Sequence, residues 1–121
     1  MTRMTLEQRR AADAWQATEG CTSAYVRLAK SAPALIMNSG LMQTLAFLQD
    51  KNEDHHKTLS GQLRKWLAQR YPQVLGTSDP GYEPTMQALL HADPRTFQEV
   101  TAECLAWLRW VRQIAPTRTE S

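Results

Sequence analysis

Between Phe97 and Ala115 the apolar residues Phe97, Val100, Cys104, Trp107, Leu108, Val111, Ile114 and Ala115 recur at helical intervals. Only a helix gathers that spacing into one continuous face. Asp93-Pro94 opens the segment: an aspartate accepts from the unpaired amides of a first turn, and proline fits the first helical position. Pro116 closes it. No stretch shows the two-residue alternation of a half-buried strand, and no internal repeat is present, so the pattern predicts an all-α fold.

The rest of the chain divides at similar punctuation. Thr5 followed by Gln8 resembles a capping box. A long first helix should follow, with Ala14, Cys21, Tyr25, Leu28 and Ala29 on one side and Trp15 at its edge, while Arg9, Arg27 and Lys30 fall opposite; Gly20 is its weak point. Ser31-Ala32-Pro33 should break it, because proline disfavours helical geometry in the residue before it. A second helix from Pro33 to Gln49 would be apolar nearly all round and therefore central. Asp50 and Glu53 offer caps for a third, with Leu59, Leu63, Trp66 and Leu67 inward and Lys57 and Arg64 far from that stripe, up to Tyr71-Pro72. Pro72 to Pro84 reads as a loop and Met86, Leu89 and Leu90 as a short helix. The expected architecture is a compact bundle of four main helices with one or two short extra helices, formed by residues 1–121 as a single domain.

Composition supports this and removes several classes. At 121 residues the chain can bury a core unaided, and 42% hydrophobic against 21% charged residues is a globular balance. Cys21 and Cys104 are the only cysteines and lack disulfide-framework or metal spacing. Residues 31–49 carry no charge, but Pro33, Asn38, Ser39, Gly40, Gln43 and Thr44 interrupt them, so no membrane span is expected. The first ten residues lack the apolar run of a secretory signal, and a cytoplasmic location follows as an expectation.

Little points to catalysis. Glu53 and His56 form an ExxH, the ligand pair of di-iron bundles, but such sites need two of these motifs plus two more carboxylates. Solvent-facing polar residues in a first turn are the plainer reading, and neither metal nor cofactor is expected. His91 stands apart from any cysteine or serine motif, and GxSxG, P-loop and GxGxxG patterns are absent. Trp15, Trp66 and Trp107 fall on or beside apolar stripes, whereas Trp110 lies about 100° from the apolar centre of its helix and is a candidate interface residue.

Net charge is only +2, but its distribution is uneven. Lys57, Arg64, Lys65 and Arg70 occur between His55 and Ser78 with no acid among them, and Arg109, Arg112 and Arg118 between Cys104 and Thr119. Glu99 and Glu103 should flank one edge of the last helix and Arg109 and Arg112 the other. Such runs arise as plain solvated faces, or as rigid rows of cations that follow a sugar-phosphate backbone without reading sequence.

Two stretches carry a family resemblance: SAPALIMNSGLMQTLAFLQDK (Ser31 to Lys51) and TAECLAWLRWVRQIA (Thr101 to Ala115). Pro33, Leu35, Ile36, Asn38, Gly40, Leu41, Leu45, Ala46, Phe47 and Lys51, then Thr101, Glu103, Trp107, Leu108 and Trp110, resemble the small helical subunit of the type III-B CRISPR effector, the Cmr complex of the RAMP module. Phe97-Gln98 departs from the Tyr-Arg that often precedes the Thr-x-Glu element. The resemblance implies a non-catalytic structural subunit of an antiviral ribonucleoprotein, stacking beside the backbone subunits and helping to hold target RNA. Its implied partners are the backbone and large subunits, guide RNA and target RNA, with weak self-stacking. Candidate phosphate contacts are Lys30, Lys51, Lys57, Arg64, Lys65, Arg109 and Arg112; Asn38 joins Trp110 as a candidate interface residue. Gly40 would suit the close approach of a neighbouring helix. The competing readings are a protein-interaction adaptor with no RNA contact and a metal-dependent bundle enzyme.

Overall fold

In the computed structural model, residues 3–76 and 80–119 are described, and among them helices are the regular structure. In chain order these are α1 (Leu6–Ala17), α2 (Ser23–Ser39), α3 (Leu41–Lys51), α4 (Asp54–Arg70), α5 (Pro72–Leu75), α6 (Tyr82–His91), α7 (Pro94–Ile114) and a 3-10 turn (Ala115–Thr117). The all-α expectation is borne out. The predicted capping box is present, with the Gln8 amide donating to Thr5 Oγ1 at 3.1 Å and the Thr5 amide to Gln8 Oε1 at 2.7 Å. Asp93 caps α7 by accepting from the Thr96 amide at 2.8 Å.

Several helix boundaries differ from the sequence expectation; the stretch from Pro72 to Pro84, expected as a loop, holds α5, which Pro72 opens from a first-turn position, and the first residues of α6. The first helix ends at Ala17, where the chain turns through Gly20 at φ +65° and restarts on Thr22, whose hydroxyl accepts from the Tyr25 amide. The expected break at Pro33 does not occur, and α2 runs through the proline to Ser39. Interior proline forfeits a hydrogen bond and costs about 3 kcal/mol. Here Leu28, Ala29, Ala32 and Ile36 form one buried stripe on both sides of it. Burying a leucine or isoleucine contributes about 1.5–3 kcal/mol each, enough to offset that loss.

The break falls instead at Gly40, with φ +89° and ψ 161°, a region essentially reserved for glycine. Its amide donates to the Ile36 carbonyl and its own carbonyl accepts the Thr44 hydroxyl at 2.9 Å. No described atom lies within 4 Å of where a Cβ would stand, so backbone conformation, not close approach of another helix, is what requires glycine here. The break also resolves the segment that looked apolar all round. Ile36, Leu41, Leu45 and Leu48 are buried, while Met37 is 75% exposed.

α7 lies across α1 and α2 and also touches α4; α2 packs in addition on α3 and α4, and α6 on α3 and α5. Trp66 from α4 and Trp107 from α7 are the largest fully buried side chains. Each indole N–H has a carboxylate partner: Trp107 donates to Asp13 Oδ2 at 2.8 Å and Trp66 to Glu103 Oε2 at 3.0 Å. Burial pushes the Asp13 carboxyl upward, and the indole hydrogen bond partly counters it.

Glu103 is only 3% exposed and is the hub of a polar cluster. Arg10 from α1 grips it with two hydrogen bonds, at 2.7 and 2.8 Å, and Arg70 from the end of α4 adds a third at 3.2 Å. Burial alone would raise the Glu103 pKa, but the Arg10 and Trp66 hydrogen bonds and the two guanidinium charges outweigh it and hold it below the ordinary 4.5. One carboxylate thus ties α1, α4 and α7 together.

Gly40→Ala should destabilise the chain by about 1–3 kcal/mol in urea unfolding, because alanine must adopt a strained conformation. Gly61→Ala, inside α4 with only the Arg64 guanidinium at 3.9 Å, should be neutral or stabilising by up to about 1 kcal/mol. Glu103→Ala should cost about 3–5 kcal/mol, because it leaves the partly buried Arg70 without its counter-charge, Arg10 with only the exposed Glu7, and the buried Trp66 indole N–H unpaired. Since the folded-state pKa of Glu103 lies below its unfolded value, its contribution is complete above pH 4.5 and falls away as acid protonates it. Urea midpoints measured from pH 6 to pH 3 should therefore drop below pH 4.5 in the wild type, and less steeply in Glu103→Ala.

Candidate nucleic-acid interface

The seven candidate cations stand on four helices. Lys30 is exposed on α2, Lys51 on the last turn of α3, Lys57 and Lys65 on α4, and Arg109 and Arg112 on α7. These six make no ion pair with a described residue. Arg64 differs. It is partly buried, and its guanidinium donates to the Pro80 carbonyl and to Ser60 Oγ, tying α4 to the segment ahead of α6. Arg70, part of the same acid-free run, is likewise committed inward to Glu103.

Lys51 and Lys57 are brought to one corner. Only Asn52 and Glu53 separate α3 from α4, and Asn52 takes the left-handed conformation (φ 56°) that reverses the chain. The Lys51 ammonium lies 5.7 Å from the centroid of the Phe47 ring, which steadies its stem. Arg27, Leu28 and Ser31 of α2 border a shallow groove together with Glu53 and His55, so the turn of α2 that bears Lys30 reaches the same corner. Lys65 follows Lys57 by eight residues, roughly 12 Å along a rigid helix. Arg109 and Arg112 form a separate pair, one turn apart on the exposed side of α7.

Of the candidate interface residues, Asn38 is exposed beside Met37 at the end of α2. Trp110 is partly buried, packs against the core and donates to Glu7 Oε2 at 3.3 Å. Trp15, placed by periodicity at the edge of a core stripe, is 54% exposed and stacked under the Arg118 guanidinium at 3.9 Å.

Of the histidines and cysteines among the described residues, His56 and Cys104 are buried and Cys21 partly so. Glu53 of the ExxH points to solvent while His56 is buried, so the expected solvent-facing pair is split. Among the described residues no three His, Cys, Asp or Glu side chains converge as a metal site. Burial pushes the Cys21 thiol up and the Cys104 thiol further, leaving neither as an activated nucleophile. His91 Nδ1 is engaged locally, donating to the Gln87 carbonyl 2.8 Å away. No helix among the described residues is long and apolar enough to cross a membrane.

Sequence reasoning misses the inward-facing polar groups. It sets Glu103 at an edge of α7, although the residue falls between Val100, Cys104 and Trp107 on the apolar face. A carboxylate inside such a stripe signals a buried cationic partner. Arg10 and Arg70 supply it, but their distance along the chain hides the pairing.

Comparison with known proteins agrees with the all-α fold. Residues 6–117 match the family model for a CRISPR-associated protein, Cas_Cmr5. A Thermus thermophilus protein named CRISPR system Cmr subunit Cmr5 is 29% identical over 96 residues, covering 79% of this chain and 75% of that protein. The crystal structure of a CRISPR-associated Cmr5 family protein, also from Thermus thermophilus, superposes with a TM-score of 0.75 at 28% identity, covering 98% of this chain and 100% of that one. The resemblance drawn from Ser31 to Lys51 and Thr101 to Ala115 is therefore borne out, and the chain belongs to the Cmr5 family of CRISPR-associated proteins.

Proposed function

We propose that this chain is a non-catalytic structural subunit of a type III-B Cmr ribonucleoprotein in the cytoplasm, acting as one domain. It stacks beside the backbone subunits, contacts them and the large subunit, and helps to hold target RNA. The observation that carries the RNA part is the corner where α2, α3 and α4 meet. Lys51 and Lys57 are exposed there on well-anchored helices, free of ion pairs with described residues, with Lys30 in the adjoining turn and Lys65 further along α4. Cations held this way neutralise phosphates with little ordering cost and no sequence preference. Arg109 and Arg112 are candidates for a second contact on α7. Arg64, engaged with Pro80 and Ser60, can add its charge to the field of the α4 surface while staying where it is. Asn38 and Trp110 are the candidates for contact with neighbouring subunits.

Reversing Lys51, Lys57 and Lys65 to glutamate tests the RNA role without touching the core, since all three side chains are exposed. Target-RNA retention by the assembled complex should weaken. The slope of log affinity against log salt should become shallower by about 2, at roughly 0.7 for each single-strand phosphate no longer neutralised. Assembly of the variant into the complex with an unchanged salt slope would favour the adaptor reading, in which the subunit binds only protein.

A further inference from the structure

His56 occupies an unusual place for a titratable side chain. It lies in the first turn of α4, is only 7% exposed, and its Nδ1 is buried with no hydrogen-bond partner among the described residues. Phe47 from α3 meets the ring edge-on at 5.9 Å, and the His55 ring lies tilted against it at 4.2 Å. Protonation makes both ring nitrogens donors. The imidazolium would therefore put an N–H at Nδ1 with nothing to accept it and a positive charge in an apolar contact. The surrounding charges do little to help. From its own helix and cap it feels His55, which opposes its protonation, and Glu53, which favours it; from α3 the Lys51 ammonium opposes it. Arg27 of α2 stands across the groove from Glu53 and His55. Burial leads these effects and pulls the His56 pKa below the ordinary 6.5.

The cheapest way to relieve a protonated His56 is at its own corner. The joint is two residues long, Lys51, Asn52, Glu53 and Asp54 are all exposed, and Glu53 caps α4 without a side-chain hydrogen bond. We propose that His56 is a proton-sensitive wedge between α3 and α4, so that mild acid opens this corner well before it disrupts the Glu103 cluster. Such opening requires no contact with RNA.

Because the folded-state pKa is lowered, the stabilisation is complete above the unfolded value of 6.5 and declines as pH falls below it. With His56 neutral in the closed state, the opening equilibrium at pH 5.5 should exceed that at pH 7.5 by up to about ten-fold. Hydrogen exchange of the full chain, corrected for the intrinsic pH dependence, should show this rise in residues 45–60 and not in α7. In His56→Phe the rise should vanish. If that variant fails to fold, the wild-type His56 ring followed by NMR still decides, since its midpoint must lie below 6.5. A midpoint at or above 6.5, or exchange in 45–60 that does not change between the two pH values, would overturn the proposal.

Discussion

The Glu103 carboxylate is the interaction on which the arrangement of the bundle depends. It is buried on the apolar face of α7, and burying a lone carboxylate is prohibitive, so α7 can seat there only when its partners arrive. Arg10 brings α1, Arg70 brings the end of α4, and the Trp66 indole fixes the depth of α4 against α7. The cluster is satisfied in one arrangement of three helices and left unsatisfied in a slipped one. Replacing it with apolar residues of matching shape could preserve stability, whereas removing one member leaves a stranded charge. Geometric specificity is the physical role that distinguishes it from the surrounding leucines, which would accept several packings.

With α1, α4 and α7 fixed in this way, the outer elements follow from local chemistry. Gly40 sets the bend between α2 and α3, and Asn52 the reversal into α4. Together they carry the exposed lysines to the α3–α4 corner on short, constrained segments. Arg64 illustrates the opposite use of a cation: drawn inward to the Pro80 carbonyl, it anchors the chain ahead of α6. The basic run of α4 therefore divides by burial into Lys57 and Lys65, which face solvent, and Arg64 and Arg70, which hold the fold together.

Much of this is legible from sequence where local chemistry decides the outcome. Thr5 and Gln8, Asp93-Pro94, Tyr71-Pro72 and Pro116 mark true helix boundaries, because caps and prolines act through backbone groups within one turn. Pro33 misleads, because a steric preference of a few kcal/mol yields to a buried stripe that spans it. Gly40 is visible as a gap, but its positive φ depends on how α2 and α3 both pack. The exposure of Lys57 follows from periodicity. The inward roles of Arg10, Arg64 and Arg70 do not, since their partners lie 93, 16 and 33 residues away.

Whether this chain works as a subunit of an RNA-guided assembly is decided by mild affinity purification of the tagged protein from its native host. Mass spectrometry of the recovered proteins and sequencing of the recovered RNA should reveal the other Cmr subunits together with short repeat-derived guide RNAs. Recovery of the chain alone, or with unrelated proteins and no RNA, would contradict the account.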